Sequence, residues 1–552
     1  MTAAGAETVA AARALVDASQ AVIDAATRHT ARTTDGGREI DEHQVHVERI
    51  AYLTTQVRAA HELVAFVERR IEAGGAGAGD PLTESSALVY AAEAAHALRS
   101  ALAIAPDDFG AGGAASALEA AGATAAIRDG LDEARIRELG RAVLASLGVN
   151  NIELEDEVAT LTRDAARDFA RNEVAPRAQD IHRQDLLVPE DLIEKFSAQG
   201  FFGSSIPEQY GGTGMGDLSM VIITEELSAA SLGAAGSLTT RPEILSKALL
   251  SGGTDEQRAE WLPKIAAGEL LVAIAVTEPD TGSDVASLQT RAVPAEHEGQ
   301  RGWRINGAKA WSTFSGRSEV LALLARTDPD VSLGNRGLSL VMVTKPAFDS
   351  HQWRYEQPEG GVITGTANPT PGYRGMHSFT LSFEDAWVPH DNLVGGDEGV
   401  NRGFYLQMGG FAAGRLQTGG RALGVAQAAM EKACQYVTGR QQFGQAVSQF
   451  QLTQYRIGEM AARIAAARQL TYAAARSFDS RAVEPAMSKL LASDIAVSVS
   501  QQAQQLHGGW GYSEEDPISR YVADALVLPI FEGVKPVLEL RVIGRALLAA
   551  AS

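Results

Sequence analysis

Between Ile40 and Phe66 apolar side chains recur at helical spacing, at Val45, Leu53, Val57, Ala60 and Leu63, with polar residues between them. This spacing predicts an amphipathic helix, and the Ala-rich sequence around it predicts further helices to about residue 150. Glycine clusters at residues 73–79 and 110–113 predict joints between them. A helical period continues from residue 151 to about 270, with Leu161, Ala165, Phe169 and Val174 expected on one stripe. Near residue 271 the period changes to two. Residues 271–276, 320–325, 338–343 and 378–383 read as strands of a compact antiparallel sheet or barrel. Helices return near residue 392. The expected organisation is an N-terminal helical extension (1–150), an α domain (151–270), a β domain (271–391) and a four-helix domain (392–552).

The extension also reads as a worn copy of a later segment. Setting Gln44 against Gln451 brings Arg49-Ile50 onto Arg456-Ile457, Ala59-Ala60 onto Ala466-Ala467 and Leu63 onto Leu470. Val45, Leu53 and Val57 then face Leu452, Met460 and Ile464. Two Ala-rich amphipathic helices can also match this well by chance.

Bulk properties narrow the function classes. A chain of 552 residues exceeds one ordinary domain, and 45% apolar content supplies a core without staples. A net charge of −21 argues against nucleic acid as a partner. Cys434 stands alone, so no internal disulfide is expected, no metal-ligand cluster is evident, and a reducing cytoplasm is the simplest compartment. The N-terminus lacks the basic start and apolar core of a signal peptide, and no apolar run nears the ~20 residues that membrane insertion needs.

Four segments carry candidate chemistry. Val276-Thr277-Glu278-Pro279-Asp280-Thr281-Gly282-Ser283-Asp284 ends a strand and turns on Pro and Gly, which aims amides into a cleft. Gly307-Ala308-Lys309-Ala310-Trp311-Ser312-Thr313 sets an indole and two hydroxyls on the next strand. Gly439-Arg440-Gln441-Gln442-Phe443-Gly444, then Gln449-Phe450-Gln451, offers an Arg fork suited to phosphate. Gln505-Leu506-His507-Gly508-Gly509-Trp510-Gly511-Tyr512 opens 27 residues before Glu532-Gly533.

In this order the segments resemble the acyl-CoA dehydrogenase family over about residues 151–552. The resemblance implies a mainly α fold with a central β domain: a helical domain, a β-barrel-like domain and a four-helix bundle, here behind the N-terminal extension. It implies FAD, contacted by Val276, Thr277, Gly282, Ser283, Trp311, Ser312 and Thr313. Arg440, Phe443, Gln451, Gln505, Gly508 and Gly509 would serve the FAD of a neighbouring subunit, which implies a homodimer or homotetramer. Glu532 would be the catalytic base. Its own N–H and a flavin ribityl hydroxyl would polarise the thioester carbonyl. Ser283, Arg415 and Gly533 would contact the acyl-CoA, and electrons would leave to an electron-transfer flavoprotein.

Departures from the family pattern matter too. Ser312 replaces a usual Ile. Val534-Lys535-Pro536-Val537-Leu538-Glu539 replaces a hydroxyl pair and the cofactor contacts after it, so no cofactor role passes to residues 534–538. The segment from Phe411 to Arg415 lacks an Asp that many relatives use. Gly414 removes an alternative catalytic Glu, which leaves Glu532 as the base on offer. An extension of this size resembles one branch, the (2S)-methylsuccinyl-CoA dehydrogenases, and so implies oxidation of (2S)-methylsuccinyl-CoA to mesaconyl-CoA. Arg241 falls where a helix should face the acyl pocket and is expected to hold a distal carboxylate. An Arg at an exposed helix end is the competing reading. An acyl-CoA oxidase using oxygen, or a non-catalytic flavin-binding scaffold, would carry the same motifs.

Overall fold

The computed structural model describes residues 3–74, 80–150, 154 and 156–552. Most of the joint expected at 73–79 lies outside the described residues, and so does the start of the domain expected from 151. The chain forms two compact units: Met1–Leu161 with Thr418–Phe478 and Ala482–Ser552, and Thr162–Gln417 with Asp479–Arg481.

The first unit opens with α1 (Ala3–Thr33), α2 (Gln44–Ala73), α3 (Pro81–Ile104) and α4 (Glu133–Ala145). Leu53, Val57, Ala60 and Leu63 are buried along α2 as their spacing predicts, whereas Val45 is exposed. Asp80 and Asp132 cap α3 and α4, each accepting from two amides of the first turn.

The stripe expected from Leu161, the last residue of the first unit's opening segment, holds only in its later half, in the second unit. Phe169 and Val174 are buried, but Leu161 and Ala165 are exposed, and Thr162 and Ala166 take the inner positions. A π turn over Ala170–Val174 adds a residue to the turn and so puts Phe169 and Val174, five apart, on one face. Helix α5 (Thr240–Gly252) follows. The sheet comprises β1 (Val272–Ala275), β2 (Arg291–His297), β3 (Gln300–Thr313), β4 (Val320–Arg326), β5 (Leu338–Thr344), β6 (Gln352–Glu356), β7 (Val362–Ala367) and β8 (Ser378–Pro389). Its order is β1-β4-β2-β3-β8-β7-β6, with β5 also on β4.

The sheet is mixed, which corrects the expectation of an antiparallel one. β1 pairs parallel with β4, and β2 meets β4 in parallel at Arg291–Arg326. β4 lies between two cores. Leu321, Leu323 and Ala325 join Trp303, Phe379 and Phe383, whereas Val320 and Ala322 join Leu245 and Leu249 of α5 and Trp261. A strand buried on both faces reads as one apolar run that carries no sign of its direction. β2, β6 and β7 escaped the sequence reading, and β3 was read only at its Trp311 end, because charged outward faces, such as Arg291 and Glu296 or Arg354 and Glu356, blur their alternation. Helix α6 (Gly403–Gly439) starts in this unit and ends in the first.

Helices α7 (Gln451–Arg476), α8 (Glu484–His507) and α9 (Pro517–Ala525) complete the first unit. Glycines let α4 and α7 meet backbone to backbone. A Cβ on Gly140 would lie 1.8 Å from the Gln454 carbonyl oxygen, and one on Gly458 would lie 2.2 Å from that of Ile136. The duplication read from sequence has structural support. Helices α2 and α7 begin at the aligned Gln44 and Gln451, and 3₁₀ turns precede them at Ile40–Glu42 and Val447–Gln449, the same 407 residues apart. Their burial also agrees: Ile50 and Ile457, Val57 and Ile464, and Leu63 and Leu470 are all buried, while Val45 and Leu452 are both exposed.

Candidate active site

In the second unit, the loop after β1 and the end of β3 are locked together by a buried ion pair. Lys309 Nζ lies 2.9 Å from Glu278 Oε1 and donates to the Val276 carbonyl at 2.9 Å. Glu278 also accepts from the amides of Gln289 and Thr290 at 2.7 and 2.8 Å. Burial opposes ionisation of Glu278, but Lys309 and these amides outweigh it and hold the carboxyl below its ordinary range. Burial pulls Lys309 down to about 8 against the attraction of Glu278, so both groups are charged at neutral pH. The Ala310 amide donates to the Thr277 carbonyl at 2.8 Å.

This anchoring shapes the candidate cofactor residues. The β3–β8 register slips between Lys309 and Ser312, and Trp311 sits in that bulge with φ +58° and its side chain 59% exposed. Val276 is buried behind the turn, whereas Gly282 and Ser283 are exposed, and their amides make no hydrogen bond among the described residues. Ser312 spends its hydroxyl on the Ile274 carbonyl at 2.8 Å, and Thr313 pairs with Ser378 at 3.0 Å.

Arg241 stands in the first turn of α5 and is 5% exposed, which removes the reading of an exposed helix end. Its Nη1 is buried without a hydrogen bond, and the side chain forms no ion pair among the described residues. Glu243, the nearest carboxylate in sequence, faces Lys247 at 3.6 Å and the Ser205 hydroxyl instead. The hydroxyls of Thr239 and Thr240 and both amide atoms of Gln407 are likewise buried without partners. Helix α6 touches α5, with Leu406 against Gly252 and Gly410 against Ile244.

In the first unit, Glu532 is half-buried on the loop after α9, with φ +55°, followed by Gly533 at φ +99°. A non-glycine residue in this left-handed region is strained and persists only where its surroundings fix it. Three successive supports come from α8 or act on the same loop. Lys489, fully buried, donates to the Gly533 carbonyl at 2.5 Å, and Ser493 donates to that of Leu528 at 3.2 Å. The Arg421 guanidinium lies 4.6 Å from the centre of the Phe531 ring. The Glu532 amide makes no hydrogen bond among the described residues.

The residues expected to serve a neighbour lie open on this same unit. Phe443 is 95% exposed at φ +53° in a hairpin over residues 441–446, and Arg440, Gln451, Gln505, Gly508 and Gly509 are exposed as well. A Cβ at Gly508 or Gly509 would meet nothing within 4 Å.

Sequence reasoning gave no role to Lys309, Lys489 or Asp494. A lysine inside an apolar strand or on an apolar helix face was the available signal. Nor did it single out Glu539, which is 3% exposed. Burial, then Glu48 and Asp494, push its carboxyl up to about 7 against the pull of Lys535. The folded state thus holds a proton that the unfolded chain has lost, so stability falls as pH rises from the ordinary carboxyl range through about 7. Glu539→Gln should remove this loss and raise stability at pH 8, but not at pH 4, by roughly 3 kcal/mol, at about 1.4 kcal/mol per pK unit for the rise from 4.5 to about 7. Urea unfolding at the two pH values measures it; equal effects at both would refute the assignment.

Comparisons with known proteins agree along the chain. Residues 156–269, 273–386 and 401–548 match models of the acyl-CoA dehydrogenase N-terminal, middle and C-terminal domains. The chain is 41% identical over 413 residues to (2S)-methylsuccinyl-CoA dehydrogenase of Cereibacter sphaeroides, covering 74% of this chain and 72% of that one. It is 33% identical over 381 residues to an acyl-CoA dehydrogenase of Bacillus subtilis, covering 68% and 94%. Among solved structures it is similar to butyryl-CoA dehydrogenase from Megasphaera elsdenii, with TM-score 0.64 and 29% identity over 72% of this chain and all of that one. A chain in the structure of the electron transferring flavoprotein of Acidaminococcus fermentans gives TM-score 0.62 and 30% identity, covering 72% and 98%. Among the described residues no helix is long and apolar enough to cross a membrane.

Proposed function

The chain belongs to the acyl-CoA dehydrogenase family, FAD-binding oxidoreductases acting on CH–CH groups, and from this we propose that it oxidises (2S)-methylsuccinyl-CoA to mesaconyl-CoA. The observation that carries the substrate is Arg241, a buried guanidinium with an unpartnered nitrogen and no carboxylate of its own. An uncompensated buried charge costs several kcal/mol, and a ligand carboxylate is the group that would offset it. The 41% relative, which is named for a dicarboxylic acyl-CoA, supports the same reading.

The residues present fit FAD. Trp311 offers an exposed ring on a strained bulge, and the Gly282 and Ser283 amides are unspent donors. Val276, Thr277 and Thr313 would hold it with them, and Ser312 would brace the strand rather than offer its hydroxyl. FAD would supply the hydride acceptor. Glu532 takes the α proton. Its free amide donates to the thioester oxygen, which makes that proton acidic enough for a carboxylate. Ser283, Arg415 and Gly533 would line the acyl-CoA path. Electrons pass to an electron-transfer flavoprotein, and the enzyme works in the cytoplasm. Anaerobic titration with a panel of acyl-CoAs tests this: methylsuccinyl-CoA should bleach the flavin fastest. Bleaching by neutral acyl-CoAs alone would refute the substrate, and rapid peroxide formation in air would favour an oxidase.

The open surface around Phe443 supports a homodimer or homotetramer in which Arg440, Phe443, Gln451, Gln505, Gly508 and Gly509 complete a neighbour's FAD site. Arg440→Ala should lose flavin while the apoprotein keeps its fold by circular dichroism. A flavin-saturated monomer in light scattering would rule the arrangement out.

A further inference from the structure

We propose that the N-terminal helical region takes part in the reaction, with Tyr52 as a positioning residue for the Glu532 loop. The inference rests on Glu532 as the base. It begins at the segment that departs from the family pattern, residues 534–539, where Lys535 stacks on Tyr52 of the N-terminal helices and shares Asp494 with it.

Lys535 is the hub. Its Nζ lies 2.6 Å from Asp494 Oδ2, 3.7 Å from Glu539 Oε1 and 4.6 Å from the centre of the Tyr52 ring. Tyr52 comes from α2, and its hydroxyl donates to the same Asp494 Oδ2 at 2.8 Å. Burial, reinforced by Asp494, raises the Tyr52 hydroxyl far above its ordinary value, so it remains a donor. Glu48, one turn earlier on α2, adds a further carboxylate facing Glu539. Helix α2 thus contributes a charge and a hydroxyl, four residues apart on one face, to a lysine three residues after Glu532.

The geometry links this cluster to the base. Lys489, Ser493 and Asp494 lie within six residues of α8, and they hold Gly533, Leu528 and Lys535. Glu532 therefore stands at φ +55° between fixed points, and the last of these is itself fixed from α2. The contact around it is close: Asp41 pairs with Arg541 at 2.6 Å, and a Cβ on Gly544 would lie 2.5 Å from Val47 Cγ1. Without the Tyr52 hydroxyl, Asp494 loses one of its two donors and Lys535 is held less firmly. The strained backbone at Glu532 is then free to relax.

Tyr52→Phe keeps the ring beneath Lys535 and removes only the hydroxyl. In the holoenzyme, hydrogen–deuterium exchange of residues 528–535 should quicken by about tenfold, the scale of a hydrogen bond to a charged group. The flavin-reduction rate at saturating methylsuccinyl-CoA should fall by about ten- to a hundredfold, as misplacement of a reacting group by up to 1 Å predicts, with substrate affinity unchanged. Lys535→Met should show the same loss, and the double variant no more than either single one. Arg13→Gln, which breaks an ion pair with Glu68 elsewhere in the extension, should change neither quantity. Unchanged exchange in Tyr52→Phe overturns the proposal, whatever the substrate. So does faster exchange with a wild-type reduction rate, or an additive double variant. If Glu532→Gln keeps its rate, the assignment of the base has failed instead.

Discussion

Glu532→Gln should give a folded, yellow protein that still binds acyl-CoA but reduces its flavin at least 10²- to 10⁴-fold more slowly, the range a positioned general base contributes. The upper end is expected, because an α C–H beside a thioester is hard to ionise and no second base stands ready at Gly414. The amide is isosteric and can adopt the left-handed backbone as the acid does, so the loop supports from Lys489 and Ser493 survive. The Glu532 N–H survives as well, so polarisation of the carbonyl is retained. Loss of rate with retained affinity then reports the proton transfer alone. Anaerobic stopped-flow bleaching reads the rate, and equilibrium binding of the product reads the affinity. A variant that bleaches at the wild-type rate would move the base elsewhere.

Arg241→Ala should lower kcat/KM for methylsuccinyl-CoA by at least ~10² relative to isobutyryl- or 2-methylbutyryl-CoA. Leaving a buried carboxylate without its partner costs about 3–5 kcal/mol, and each 1.4 kcal/mol is about tenfold. Neutral substrates lose nothing by the change and gain room. The ratio decides the matter, since general damage to the first turn of α5 would lower both values together. An unchanged ratio would mean that the guanidinium of Arg241 serves some other partner.

Both predictions depend on knowing where a side chain lies, and the sequence supplied this unevenly. The motif around Thr277, the Trp311 strand, the Arg440–Gln451 turn and Glu532 were legible, because each is a contiguous run of residue types whose spacing is kept. Helix α2 was legible for a related reason: one face is buried, so its period survives in the sequence. β4 was seen as a strand but not as a parallel one, because burial on both faces leaves no alternation to read. In the stripe at Leu161–Val174 the inner face runs through Thr162 and Ala166 rather than Leu161 and Ala165, one position along, a choice that packing and not periodicity makes.

What the sequence by itself determined was the family, the order of helical and strand-rich regions, and the identity of the groups that could do the chemistry. Only the tertiary structure decided the standing of two isolated residues. Arg241 is a surface or a buried residue depending on how α5 packs, and it is buried with an unpartnered Nη1, which is the ground for proposing it as a binding group. Lys535 looked like a broken cofactor motif until Tyr52, 442 residues from Asp494, closed the network around it. Local patterns reflect the period of one element against its core, so they persist in sequence. Contacts between distant segments depend on chain packing, which no single stretch of residues records.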